Sequence, residues 1–263
     1  MELRDVDATP IAWRERGEGE TVLFLHGLGM TRTGWDAVMQ PLATGYRCVA
    51  WDMPGYGASV PLEEFSLEAA ADAAAGLIVE LGGSAHVVGM SMGGMVALQL
   101  ALRHPDVVRS LVLVDTSPAF GLDGTDPDQW QAARLAPLLA GAQIEEFAEP
   151  VLRGVMAPDP DPAAVDLAVQ SMLRVPIAGL IQAIAALPAH DVRARLKELS
   201  VPTLVLVGDL DEETPLAYAQ TLAEGIAGAE LHVIPAAGHL TPFEAPLAVA
   251  ALIGDHLQGM ESN

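Results

Sequence analysis

The segment VVGMSMGGMVAL sets a serine, Ser91, between Gly89 and Gly93, where a β-rich run ends at Val88 and a helical run begins at once. Serine is a weak nucleophile at its own pKa, so it needs a base, and the base needs an orienting partner. A strand–turn–helix setting supplies the rest. A turn this sharp pushes the serine hydroxyl out of a sheet, and side chains two residues to either side would collide with the neighbouring strand and helix. The Met92 amide then opens a helix, where backbone donors and the dipole favour a developing oxyanion.

Seven histidines are available as the base. His239, in PAAGHLTPFE, is the one that follows the last strand-like run in a turn. His86 and His232 lie in or beside strand-like runs, His104 and His256 in or at the ends of helical ones, and His190 further back in a helical region; all five read as structural or solvated. His26 ends a strand-like run and reads as a support for the loop that follows it. The acid comes from GDLDEETP, where Asp211 lies in the loop and is preferred to Asp209, which abuts the strand. Asp115 is the outside candidate, and Asp52 reads as a turn residue holding MPGYG. The order serine, acid, histidine is one of three that build this triad. A second oxyanion donor belongs to LHGLGMTRTGW, where Gly27 and Gly29 permit close backbone approach; Leu28 is the expected amide, with Gly27 the alternative.

Positioning these groups requires a particular arrangement of elements. TVLFLH (21–26), RCVAWD (47–52), AHVVGM (85–90), SLVLVD (110–115), TLVLVG (203–208) and ELHVIP (230–235) are nearly continuous apolar runs, as in parallel strands covered on both faces. LEAAADAAAGLIVEL (67–81) and MVALQLALRH (95–104) have helical period between them. Two polar runs, near 2–6 and 9–16, predict an antiparallel hairpin at the sheet edge. The pattern is α/β and doubly wound. The alternation breaks from about Ser117 to His190, where helical runs punctuated by APDPDP are too long for one crossover. A helical cap is expected at 119–189, between core segments 1–118 and 190–263.

The 263 residues carry a formal net charge of −22, and Lys197 is the single lysine. Such charge opposes nucleic acid and anionic membranes as partners and repels anionic substrates at long range. No apolar run approaches the roughly 18 residues of a membrane span. MELRDVDATP lacks a basic region followed by an apolar stretch, so the cytoplasm is the expected location. One cysteine, Cys48 in the apolar RCVAW, excludes an internal disulfide and reads as core.

Five motifs in register carry a resemblance to the α/β-hydrolase superfamily. They are His26-Gly27-Leu28-Gly29, the run from Asp52 to Ser59, Gly89-Met90-Ser91-Met92-Gly93-Gly94, Gly208-Asp209-Leu210-Asp211, and Gly238-His239. The resemblance implies the α/β-hydrolase fold, the acid at Asp211 and a cap after SLVLVD. RHPDVVRSLVLVDTSPAFG and TPLAYAQTLAEGIAGAELHVIPAAGHL look most like the 3-oxoadipate enol-lactonase branch and related small esterases. Met90 stands where carbon–carbon bond hydrolases of the fold usually have Asn, and Ser91 where dehalogenases have Asp. The Ser-Met-Gly-Gly elbow is also that of cofactor-free perhydrolases.

The expected reaction is hydrolysis of a small ester or lactone through an acyl-enzyme on Ser91, with no cofactor and no metal. The cap should supply an apolar pocket of residues such as Met172 and Leu173. A substrate carboxylate would need a cation, for which Arg32, Arg134, Arg153 and Arg174 are candidates; a neutral substrate needs none. Two other classes compete. A dinucleotide-dependent oxidoreductase would use VLFLHGLGMTRTG and Asp52, but the third glycine of its fingerprint falls on Arg32. A ligand sensor on the same fold would hydrolyse slowly or not at all. Sequence leaves the physiological substrate and oligomeric state open.

Overall fold

Strand-forming and helix-forming runs alternate along the chain, and the computed structural model, which describes residues 2–7 and 10–261, assembles the strands into one eight-stranded sheet. The strands are β1 (Arg4–Val6), β2 (Trp13–Arg16), β3 (Glu20–Leu25), β4 (Tyr46–Trp51), β5 (Ala85–Met90), β6 (Val108–Val114), β7 (Thr203–Gly208) and β8 (Glu230–Ile234). Their order is β1-β2-β4-β3-β5-β6-β7-β8. β1 and β2 form the edge hairpin, β2 pairs antiparallel with β4, and every later pair is parallel. The strand expected from 9 begins at Trp13 instead; Thr9 itself lies outside the described residues.

Four expected strands end one residue early, so that His26, Asp52, Asp115 and Pro235 fall outside the ladder. Three of these are polar, and their side chains bond to loops at the sheet's C-terminal edge. That edge is where a doubly wound sheet binds ligands, at the point where strand order reverses. The reversal here lies at β3, which has β4 on one side and β5 on the other. Leu28 follows β3 and Ser91 follows β5, so the topology brings the two loops together.

The helices are α1 (Asp36–Leu42), α2 (Leu67–Leu81), α3 (Met92–Arg103), α4 (Pro127–Leu139), α5 (Ile144–Val155), α6 (Pro162–Met172), α7 (Ile177–Ala186), α8 (Leu216–Gly225), α9 (Thr241–Glu244) and α10 (Pro246–Glu261). β5 is buried at every position, which requires cover on both faces; α2 packs on α3 and α1 on α10. α2 starts where Ser66 accepts a hydrogen bond from the Ala69 amide, and it buries Leu67, Ala70, Ala74, Leu77, Ile78 and Leu81 on one stripe. Loss of such a cap costs about 1 kcal/mol. Small alanines on that stripe let α2 lie close to α3. Among the described residues no single helix is long and apolar enough to cross a membrane.

Between β6 and β7 the chain makes its long excursion, α4 to α7. It leaves and returns at one place: Ala119 bridges Asp191, the Phe120 amide donates to the His190 carbonyl, and the Val192 amide to the Pro118 carbonyl. Within it α4 packs on α7 and α5 on α6. APDPDP serves as a turn and helix start, with Asp161 capping α6 and Pro162 at its first position.

Candidate active site

α3 begins at Met92, as the turn at Ser91 implies and three residues ahead of the periodic run from Met95, with Gly93 and Gly94 in its first turn despite their low helix propensity. Contact with the sheet outweighs propensity there. A Cβ on Gly93 would lie 2.2 Å from the Leu25 carbonyl oxygen, and one on Gly89 would lie 2.4 Å from the Gly93 carbonyl oxygen. Held this close, the turn forces Ser91 to φ 53° and ψ −121°, a conformation that non-glycine residues rarely adopt. Hydrogen bonds on both sides maintain it. The Ser91 amide donates to the Val114 carbonyl, 2.9 Å away, and Thr116 Oγ1 donates to the Ser91 carbonyl at 2.6 Å.

The structure brings Ser91, Asp211 and His239 together. Ser91 Oγ lies 2.9 Å from His239 Nε2, and His239 Nδ1 lies 2.9 Å from Asp211 Oδ2. Facing a carboxylate, Nδ1 carries the proton and donates, which leaves Nε2 to accept from the serine hydroxyl. Asp211 accepts three more hydrogen bonds, from the Glu213 and Thr214 amides at 2.9 Å and from Thr214 Oγ1 at 2.8 Å. Burial works against its charge, but His239 and these donors hold its carboxyl below the usual range. For His239, burial likewise opposes the cation. Asp211, with lesser contributions from Asp115 and Glu213, outweighs it and raises the imidazole to about 9.

Asp115, the outside candidate for the acid, lies at the end of β6 with φ 45°. It is fully buried and takes hydrogen bonds from the Gly208 amide and from the Thr241 amide and hydroxyl. Burial, then the nearby Asp211 charge, pushes its carboxyl up to about 8. Asp209 meets the Ala237 amide at 3.4 Å.

Leu28 lines the cavity beside Ser91, and Met92, the next residue after Ser91, opens α3, where the first amides of a helix have no partner within it. Gly27 packs against Met90 and Ser91. His26 holds the loop, with Nδ1 against the Gly27 carbonyl and Nε2 accepting from the Met53 amide. Asp52 is buried and accepts from the Arg32 and Ala58 amides. Its burial and its two loop amides make it the turn residue that holds MPGYG.

Ser91 and His239 open on a cavity of about 480 Å³. Its buried wall is apolar, from Met30 and Met95 to Met172, Leu180 and Ile184, while Asp123, Arg134, Glu212 and Glu213 stand at its more exposed end. Met172 lines it as expected; Leu173 does not. Of the four candidate cations, the structure removes three. Arg32 is buried away from the cavity against Asp5, Asp7 and Asp52, because the Asp-rich edge hairpin claims its guanidinium. Arg153 pairs with Glu149 one helical turn away, and neither it nor Arg174 lines the cavity. Arg134 does, stacked 4.2 Å over the Trp130 ring and 3.8 Å from Glu213. Among the described residues no cluster of His, Cys, Asp or Glu is arranged to hold a metal.

Sequence reasoning missed Thr214 and Glu244. Thr214 follows Asp211 by three residues, the D-x-x-T spacing at which a side-chain oxygen accepts from a backbone amide, and that signal was available. Glu244 takes hydrogen bonds from the Gly238, Leu240 and Ala157 amides. Its partner at position 157 is far off in the chain, and local spacing gave no sign of it.

The model of the alpha/beta hydrolase family matches residues 22–252. The chain is 35% identical over 233 residues to the pimeloyl-[acyl-carrier protein] methyl ester esterase of Chromobacterium violaceum, covering 86% of this chain and 89% of that one. It superposes on a thermophilic esterase from Thermogutta terrifontis with a TM-score of 0.86 and 29% identity, covering 98% and 99% of the two chains. The enol-lactonase from Burkholderia xenovorans LB400 shares the fold, with a TM-score of 0.86, 23% identity and coverage of 97% and 100%.

Proposed function

The chain belongs to the alpha/beta hydrolase family, and from that premise we propose that it cleaves a small, uncharged carboxylic ester or lactone through an acyl-enzyme on Ser91. The observation that carries this reading is the continuous relay of two 2.9 Å contacts from Ser91 through His239 to Asp211. His239 Nε2 takes the serine proton as Oγ attacks the carbonyl carbon. The Leu28 and Met92 amides hold the oxygen that becomes negative, and His239 returns the proton to the departing alkoxide. Water, activated by the same imidazole, then attacks the acyl carbon and releases Ser91. Residues 119–189 act as a cap whose helices form the apolar wall for the acyl chain, and residues 1–118 and 190–263 form the core. The setting is the cytoplasm.

Charge favours a neutral substrate. Three acids and one arginine surround the exposed end of the cavity, within a chain of net charge −22. The Chromobacterium relative suggests a second reading, a methyl ester carried on a protein. The cap, however, has three arginines, Arg134, Arg153 and Arg174, against nine acids, and so offers poor docking for an acidic carrier. Kinetics with a free methyl ester and its carrier-bound form would separate the two readings.

Labelling with a fluorophosphonate, comparing wild type with Ser91→Ala, followed by assay of short p-nitrophenyl esters, tests the main reading. Labelling confined to wild type and turnover near 1–10³ per second are expected. Absence of labelling in folded wild type sinks the acyl-enzyme.

A further inference from the structure

His239 is bonded to the cap through its own backbone. Its amide donates to the carbonyl of Val155, the last residue of α5, at 2.8 Å. Glu244 adds a second tie. One carboxylate oxygen accepts from the Leu240 amide at 3.0 Å and the other from the Ala157 amide at 2.7 Å, while the Gly238 amide lies 3.2 and 3.1 Å from the two. A single side chain therefore joins the residues flanking the base to the segment that leaves α5. The fit is close, since a Cβ on Gly238 would come within 2.5 Å of the Ala157 nitrogen. Three amides converging on one group require a carboxylate, because a glutamine supplies only one acceptor oxygen.

α5 also supplies Phe147, Val151, Leu152 and Val155 to the cavity wall. A ligand that fills the cavity bears on this helix, and the end of the helix is bonded to the loop that carries the base. We propose that Glu244 is a positioning residue that couples occupancy of the cap to the placement of His239, so that an acyl chain reaching α5 sets the imidazole against Ser91. The coupling rests on the reading of His239 as the base. Displacements of about 1 Å suffice, since misplacement on that scale costs up to about 100-fold in rate.

The test measures kcat and KM for p-nitrophenyl acetate and p-nitrophenyl hexanoate with wild type, Glu244→Ala, Glu244→Gln and His239→Asn. Glu244→Ala should lose about 10–100-fold in kcat, with KM for the acetate changed by less than about threefold. Its hexanoate-to-acetate kcat ratio should fall below the wild-type ratio, because the longer chain no longer gains from bearing on α5. Glu244→Gln should recover part of both quantities, and it carries the test if the alanine variant fails to fold by circular dichroism. Wild-type kcat in Glu244→Ala overturns the proposal, and so does an equal loss on both esters with the ratio unchanged. An active His239→Asn enzyme would instead remove the base assignment itself.

Discussion

Asp115 holds Thr241 and leaves His239 to Asp211. Its Oδ2 lies 2.6 Å from Thr241 Oγ1 and 3.2 Å from the Thr241 amide, while its Oδ1 accepts from Gly208 at the end of β7. Two carboxyl groups thus stand near one imidazole with separate tasks. Asp211 contacts the ring, and Asp115 fastens the loop behind it to two adjacent strands.

Replacing Asp115 with alanine should therefore cost stability first. It leaves two buried amides and a hydroxyl without an acceptor, each worth about 1–3 kcal/mol, so urea unfolding should show a loss of about 2–5 kcal/mol. Activity of the folded fraction should fall by about tenfold or less. A stable Asp115→Ala enzyme as inactive as an Asp211 variant would transfer the role of acid to Asp115.

The pH dependence follows from the direction of the His239 shift. In the proposed mechanism His239 must be neutral to act as base, and burial notwithstanding, Asp211 raises its pKa above the ordinary 6.5, to about 9. kcat/KM should rise with pH along an acid limb whose midpoint lies above 6.5. Asp211→Asn removes the charge that favours the imidazolium, so the midpoint should move down in pH. The same change lets the ring adopt the wrong tautomer, and the rate should drop by about 10⁴. A limb that stays in place when Asp211 is neutralised would show that another group sets it.

Much of this was legible in the chain because the chemistry is local. The glycines around Ser91 report a turn that only they permit, and the apolar runs report strands buried on both faces. α2 ends where its pattern ends, at Leu81, just before Gly82 at φ 139°. α3 opens at Met92, as the elbow implies, although Gly93 and Gly94 are poor helix formers when read alone; what holds them there, the carbonyl of Leu25, lies on another strand. The fate of Arg32 was hidden in the same way. Nothing within its own loop indicates that Asp5 and Asp7 of the edge hairpin and Asp52 after β4 converge on it from two other segments. Contacts between residues distant in sequence are where pattern reading ends.

Arg134 is the one cation of the four candidates that reaches the cavity, and it does so beside Glu213 and over Trp130. Arg134→Gln should change kcat/KM for neutral esters by less than about twofold, since a half-exposed pair contributes about 1 kcal/mol or less. For an ester bearing a free carboxylate the same variant should lose about 3–10-fold, and Glu213→Gln should gain by a similar factor. Steady-state kinetics on matched neutral and anionic esters decide it. Equal responses to both substrates would place the arginine outside the binding path.

Leu180 and Ile184 lie one helical turn apart on α7, both buried and both lining the cavity, with Leu187 following on the same face. Each methylene of an acyl chain transferred from water to such a wall gains about 0.8 kcal/mol, or about fourfold in kcat/KM if the contact persists in the transition state. Rates for p-nitrophenyl esters should therefore climb from acetyl upward and stop climbing once the chain fills the 480 Å³ available. Ile184→Trp places bulk into that space from a rigid helix, so the climb should end at a shorter chain while the acetyl ester is cleaved at close to its original rate. The alternative is that acyl groups leave the serine along the exposed side of the cavity, past Asp123 and Glu212. In that case chain length would matter little in either enzyme, and the tryptophan would lower all rates alike or none.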